Sequence, residues 1–221
     1  MSNSVLFVAN GDIPNKKWFK AALSREYSAI VGVDGGTNYL LQFDVIPDVV
    51  VGDLDSLDPA AIKILEDNWV NVFRSNPEKD ETDLEIALLY YANLPAWKMS
   101  SAVILGAQGG RLDHEIANLM LLTHPNLQQR RIEIRDEHQT TFLISERAEI
   151  YGRAGDTVSL IPLKGDSLIK NTTNLKWPLI DSLLKFGPAR GVSNVMTASS
   201  STVEIESGLV LCIHTESSWD R

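Results

Sequence analysis

The sequence predicts two halves of different class: an α/β half built on a parallel sheet, then an all-β half of sandwich or barrel type. Three observations predict this. Over residues 1–135, short apolar runs alternate with segments of helical apolar period. After Glu137 the helical period fades and short β-rich runs separated by turn signals take over. Finally, carboxylates recur directly after the predicted strands of the first half, the edge where open α/β sheets bind ligands.

Residues 5–9 read as the first strand, stopped by Asn10-Gly11-Asp12. Trp18, Phe19, Ala22 and Leu23 recur at helical spacing, so a helix follows. Residues 29–33 form the second strand and end in Asp34-Gly35-Gly36, with a short helix around Tyr39, Leu40 and Phe43. Residues 49–51 are three β-branched valines that run into Gly52-Asp53-Leu54-Asp55-Ser56. In an extended chain Asp53 and Asp55 point the same way and Leu54 turns to the protein. Pro59 opens the next helix, capped by Ser56 or Asp58, with Ile62, Leu65 and Trp69 inward. Residues 70–73 are a strand, and Leu84, Ala87, Leu88 and Tyr91 mark a helix capped by Asp80 or Thr82. Residues 102–105 run into the turn Gly106-Ala107-Gln108-Gly109-Gly110 and a helix striped by Leu112, Ile116, Leu119 and Met120. Residues 131–135 close this half. The β half contains runs at 140–144, 148–151, 157–162, 167–170, 202–205 and 209–214, with a turn around 179–184. The boundary is expected near Ser145, giving domains 1–144 and 145–221.

A chain of 221 residues is long enough to bury a substantial core. Its formal charge of −9 argues against broad nucleic-acid binding and against attraction to anionic membranes. The single cysteine, Cys212, forms no intrachain disulfide and reads as a buried strand thiol. No apolar stretch approaches the roughly 20 residues that span a bilayer. No secretory leader pattern opens the chain, so a cytoplasmic location is the default expectation.

Each chemical motif has a plain reading beside a functional one. Asp53 and Asp55 are either solvated loop residues or ligands for a hard cation. Asp80 and Asp83 are either helix-start carboxylates or part of a site. The turn at Gly109-Gly110 is either a steric joint or a phosphate cradle, and Arg111 brings a planar fork suited to phosphate. Asp113 would orient Arg111 or the ligand. Taken together, Asp34, Asp53, Asp55 and Asp83 fall past strand ends on one sheet edge. Unneutralised, such a cluster would repel itself by about 4 kcal/mol per close pair at an effective dielectric near 20. Mg²⁺ with a nucleotide polyphosphate removes that repulsion, and phosphoryl-type transfer needs mainly positioning and charge neutralisation.

The ordered set Asp34-Gly35-Gly36, Gly52-Asp53-Leu54-Asp55-Ser56, Lys79-Asp80-Glu81-Thr82-Asp83, Gly109-Gly110-Arg111-Leu112-Asp113-His114 and Asn118 resembles thiamine pyrophosphokinases. Leu175-Lys176-Trp177-Pro178 and Gly191-Val192-Ser193-Asn194 extend the resemblance into the β half. The resemblance implies a Rossmann-like catalytic domain, a C-terminal β-sandwich, and a homodimer with active sites between subunits. It implies transfer of the diphosphate of ATP to the hydroxyl of thiamine, leaving AMP. By position, Asp34, Asp53, Asp55 and Asp83 would hold Mg²⁺, and Asp55, Asp80, Asp83 and Arg111 would serve catalysis. Gly109, Gly110, Arg111 and Asp113 would face the nucleotide. Trp177 would stack on thiamine, and Ser193 and Asn194 would bond its pyrimidine edge. Lys79 stands where some members carry a neutral side chain. The rival readings are a diphosphokinase of another hydroxymethyl heterocycle, such as a pterin, and a non-catalytic nucleotide-binding module.

Overall fold

The computed structural model describes residues 4–76, 78–97, 100–128 and 130–218. They form two compact units, divided between Glu137 and His138.

The first unit alternates strand and helix: β1 (Ser4–Val8), α1 (Lys16–Leu23), β2 (Ala29–Val33), α2 (Gly36–Gln42), β3 (Val49–Gly52), α3 (Pro59–Asp67), β4 (Asn71–Arg74), α4 (Asp83–Asn93), β5 (Ser101–Leu105), α5 (Leu112–Leu121) and β6 (Ile132–Arg135). The strands lie in the order β6-β5-β1-β2-β3-β4, and every pair is parallel. A parallel sheet must be covered on both faces, which is why its central strands read as unbroken apolar runs. Val5, Leu6, Phe7 and Val8 of β1 are all fully buried. The chain leaves β1 toward β2 on one side and returns to β5 on the other. That reversal opens a crevice at the C-terminal ends of β1 and β5.

Local chemistry sets the helix starts. Asp58 caps α3 by accepting the Ala61 N–H at 2.7 Å, and Pro59 takes the first helical position. Thr82 caps α4 by accepting the Glu85 N–H. Trp69 departs from the expected inward placement. Its backbone is left-handed at φ +55° after α3 ends, and the residue is 93% exposed. The helical period carries on in the sequence, but the helix does not. The apolar stripe of α5 is also solvent-facing, with Leu112, Ile116 and Met120 exposed.

The second unit is antiparallel: β7 (Gln139–Ile144), β8 (Arg147–Tyr151), β9 (Thr157–Pro162), β10 (Ser167–Thr173), β11 (Ile180–Leu184), β12 (Asn194–Val195), β13 (Ser200–Ser207) and β14 (Val210–Thr215). β12-β9-β14-β7 pack over β11-β10-β13-β8. Strict alternation along β9 and β13 sends one face of each inward. Val158, Leu160, Ile169, Val203, Val210 and Cys212 share the resulting core, so the unit is a sandwich. Burial pushes the Cys212 thiol up, which keeps it protonated and inert. β7 pairs with β14 along its whole length, so the unit begins before β7 rather than after it. Residues 180–184, read as a turn from sequence, form β11 against β10. No helix among the described residues is long and apolar enough to cross a membrane.

One buried hydrogen-bonded cluster joins the turn before β9 to β14 and the residues after it. Asp156 is 2% exposed and accepts N–H groups from Arg153 and Ser217, at 2.8 and 2.9 Å. Its Oδ2 lies 2.9 Å from His214 Nε2. Burial alone would raise this carboxyl, but the Ser217 and Arg153 N–H groups and His214 outweigh it and hold it below its usual range. A carboxyl with a lowered folded-state pKa stabilises the fold above its unfolded value and loses that stabilisation as pH falls through the folded one. Asp156→Asn is therefore expected to destabilise the protein by about 1–3 kcal/mol at pH 7. The gap should narrow below about pH 4, near the unfolded carboxyl value. Melting curves of both proteins from pH 7 to pH 3 check this, and a pH-independent gap would contradict it.

Candidate active site

The strand ends of the first unit surround a cavity of about 610 Å³. Asn10, Gly11 and Asp12 line it after β1, Asp34 after β2 and Asp53 after β3. Lys79, Glu81, Thr82 and Asp83 come from the β4–α4 connection. Gly109, Gly110 and Arg111 follow β5, and His114 and Asn118 project from α5. This is the crevice that the chain reversal at β1 predicts.

Two left-handed residues build its acidic corner. Asp34 stands at φ +45° after β2, with its N–H on the Val51 carbonyl at 2.8 Å. Leu54 stands at φ +68° and is buried with Val50, Leu57, Ala61 and Leu65. The expected extended alternation is thus replaced by a turn, but Leu54 still anchors in the core. Gly52 permits the close approach of the two strand ends, because a Cβ there would lie 3.0 Å from the Asp34 Cα. One carboxylate oxygen each from Asp34, Asp53 and Asp55 then falls within 4.8 Å of the others. The Asp55 N–H donates to Asp53 Oδ1 at 3.1 Å. The Ser56 hydroxyl donates to Asp34 Oδ2 at 2.7 Å and lies 3.1 Å from Asp55 Oδ1. Asp34 Oδ1 is buried and has no hydrogen-bond partner among the described residues.

Asp83 sits apart from these three. Its Oδ1 accepts from the Ser75 hydroxyl at 2.8 Å and from the Lys79 ammonium at 2.6 Å. Its carboxylate therefore lines the cavity already paired. Asp80 is exposed and is not part of the cavity wall.

The glycine turn is held from inside. Gly109 and Gly110 have φ of +82° and +85°, and a Cβ on Gly109 would meet the Asp12 Cβ at 2.4 Å. The Gly109 N–H donates to Glu115 Oε1 at 2.5 Å, and Asn118 Nδ2 donates to the Ala107 carbonyl at 2.8 Å. The Gly109 amide is thus already engaged by α5 and is not free for a phosphate. Arg111 is exposed at the rim and grips Asp113 with Nε and Nη2, at 3.1 and 2.5 Å. The hydrogen-bonded Arg111 guanidinium holds the Asp113 carboxyl below its usual range.

In the second unit Trp177 is 54% exposed, and the Lys176 ammonium lies 4.8 Å from its ring centroid. The buried Asn194 side chain accepts the Trp177 N–H at 3.0 Å and donates to the Trp177 carbonyl at 2.6 Å. It also accepts the Val195 N–H. Asn194 therefore spends most of its amide positioning Trp177. Ser193 is exposed at φ +60°, with its N–H on Ser159 Oγ at 3.0 Å.

Residues 21–135 match the thiamin pyrophosphokinase catalytic domain, and residues 133–210 match the vitamin B1 binding domain of the same enzymes. The chain belongs to the thiamin pyrophosphokinase family. A thiamine pyrophosphokinase of Bacillus subtilis is 29% identical over 192 residues, covering 85% of this chain and 87% of that protein. Thiamine pyrophosphokinase 1 of Arabidopsis thaliana is 30% identical over 175 residues, covering 76% of this chain and 65% of that one. The chain thus spans about two thirds of the length of its plant relatives. The crystal structure of thiamine pyrophosphokinase from Bacillus subtilis superimposes with a TM-score of 0.83 at 26% identity, covering 96% of this chain and 99% of that one.

Within this thiamin pyrophosphokinase fold, four site residues escaped the sequence reading as site residues. Ser56 and Ser75 orient carboxylates, Glu115 holds the glycine turn, and Asp12 packs beneath it. Ser56 was legible as a neighbour of Asp55. Ser75 and Glu115 act on partners several residues away across a turn, and nothing in their own spacing announces it.

Proposed function

We propose that the chain transfers the diphosphate of ATP to the hydroxyl of thiamine, giving thiamine diphosphate and AMP with Mg²⁺. The observation that carries the reading is the corner of Asp34, Asp53 and Asp55. Three carboxylates at this separation repel unless a cation joins them, and the buried, unpartnered Asp34 Oδ1 is a ligand atom waiting for one. The donor set is all oxygen, which suits a hard divalent ion. These residues fit Mg²⁺. When bound, the ion would withdraw charge from the polyphosphate.

The chain's own residues supply the rest. Ser56 holds Asp34 and stands beside Asp55, so the corner is ordered before substrate arrives. Arg111, aligned by Asp113, offers the rest of its fork to the nucleotide phosphates at the cavity rim. Gly109 lets the turn and Asp12 close together, and Glu115 fixes that turn. Trp177, half-exposed, offers its ring to the aromatic part of thiamine. We place the protein in the cytoplasm as a homodimer with active sites at the subunit interface. Exposed apolar side chains at Leu112, Ile116, Met120, Ile180, Leu183 and Phe186 support self-association.

The test is incubation with ATP, Mg²⁺ and thiamine. AMP and thiamine diphosphate should appear in equal amounts and stop on chelation. ADP in place of AMP, or no product, rejects the reading. Trp177→Ala is expected to weaken thiamine binding by about 0.5–1.5 kcal/mol beyond the lost contact area and to leave ATP binding unchanged. Calorimetric titration of each substrate checks it, and unchanged thiamine affinity would remove Trp177 from the site.

A further inference from the structure

Lys79 is an enclosed charge to which the proposed transfer chemistry assigns no role. The Lys79 side chain is only 14% exposed. Its ammonium donates to Ser75 Oγ and to Asp83 Oδ1, both at 2.6 Å. The Ser75 N–H is bonded to the Gly52 carbonyl at 3.1 Å, so this group is tied to the strand end that carries Asp53. An ammonium has three donors, and these two partners use two of them.

Lys79 lines the cavity beside Asp34, Asp53, Glu81 and Asp83. The other Lys or Arg in the lining, Arg111, is exposed at the rim and paired with Asp113. Among the described residues, Lys79 is therefore the enclosed Lys or Arg of a wall that also carries Asp12, Asp34, Asp53, Glu81 and Asp83. Enclosing an ammonium is costly unless it is paired and hydrogen-bonded, and here both conditions are met with a donor to spare. A compact ammonium suits a phosphate oxygen as a point charge.

We propose that Lys79 binds a phosphate oxygen of the nucleotide, with Ser75 and Asp83 holding its ammonium against the cavity wall. This deepens the diphosphate-transfer reading and rests on it for the identity of the ligand. Lys79 would then distinguish polyphosphate from nucleoside and place the phosphates beside the acidic corner.

The experiment measures binding of ATP and of adenosine by calorimetry, on the full chain without thiamine, with and without Mg²⁺. Lys79→Met is expected to weaken ATP about tenfold to a hundredfold, the value of a hydrogen bond to a charged group, and to leave adenosine unchanged. Lys79→Gln, which keeps a donor toward Asp83, should show the same selective loss, and Lys79→Arg should recover most of it. Ser75→Ala disturbs the same cluster but keeps the charge, so it should retain the preference for ATP over adenosine. Unchanged ATP affinity in a folded Lys79→Gln variant, or equal weakening of ATP and adenosine, overturns the proposal. If the wild-type protein binds ATP through Lys79 but forms no thiamine diphosphate, the transfer reading fails and the Lys79 assignment stands. If it turns over and Lys79→Gln still binds ATP normally, the Lys79 assignment fails alone.

Discussion

Asp55→Asn is expected to leave the fold intact and to lower formation of thiamine diphosphate by about a thousandfold, the scale of losing one preorganised electrostatic contact. Asp55 is exposed, and the amide has nearly the same size as the carboxylate. The Ser56 hydroxyl near Asp55 Oδ1 can remain in place. What disappears is one of three negative charges whose oxygens lie within 4.8 Å. Without divalent ion, the variant should melt at or slightly above the wild type, since a like-charge repulsion has been relieved. Added Mg²⁺ should raise the wild-type melting temperature by preferential binding to the folded state, and should raise the variant's far less. Paired melting curves and turnover measurements test both halves. Near-normal turnover in a folded variant would remove the metal role from this corner.

That corner was legible in the sequence because its parts are local. Short apolar runs mark strands, and the residues just after them mark the binding edge of a parallel sheet. Asp34, Asp53 and Asp55 stand out this way, and the fold brings their carboxylates together. The route differs in detail. Alternation in an extended chain would have aligned Asp53 and Asp55, but the chain turns through a left-handed Leu54 that is anchored in the core. What stayed hidden depends on partners far along the chain. Asn194 reads as a turn residue until Trp177, seventeen positions away, is seen bonded to both ends of its amide. Residues 180–184 carry Asp181 and Ser182 and lack a clear alternation, so only pairing with β10 reveals a strand. Spacing also does not show that Asp83 is paired with Lys79, four positions before it in the β4–α4 connection. The stripe on α5 shows the same limit. Period tells which residues share a face, not what covers that face.

Gly36→Ala is expected to be the most destabilising conservative change in the first unit, at about 3 kcal/mol, the upper end of typical overpacking costs. For a domain of this size that corresponds to a fall in melting temperature of roughly 6–12 °C. The cause is space rather than backbone conformation, since Gly36 opens α2 with no positive φ. A Cβ there would lie 2.0 Å from the Val8 carbonyl oxygen and 2.6 Å from the Val8 carbonyl carbon. Val8 is fully buried in β1, paired to strands on both sides, and has nowhere to go. The start of α2 must move instead, and Asp34 lies two residues before it, with its carbonyl accepting the Thr37 N–H. Activity should therefore fall along with stability, because the acidic corner moves with the helix. Gly110→Ala supplies the contrast: its Cβ would meet nothing within 4 Å, and its φ of +85° carries only the strain of a left-handed alanine, about 1–2 kcal/mol. Urea unfolding of the two variants separates the causes. If Gly36→Ala is the milder of the two, α2 does not pack against β1 as closely as described, and the placement of Asp34 that depends on that packing falls with it.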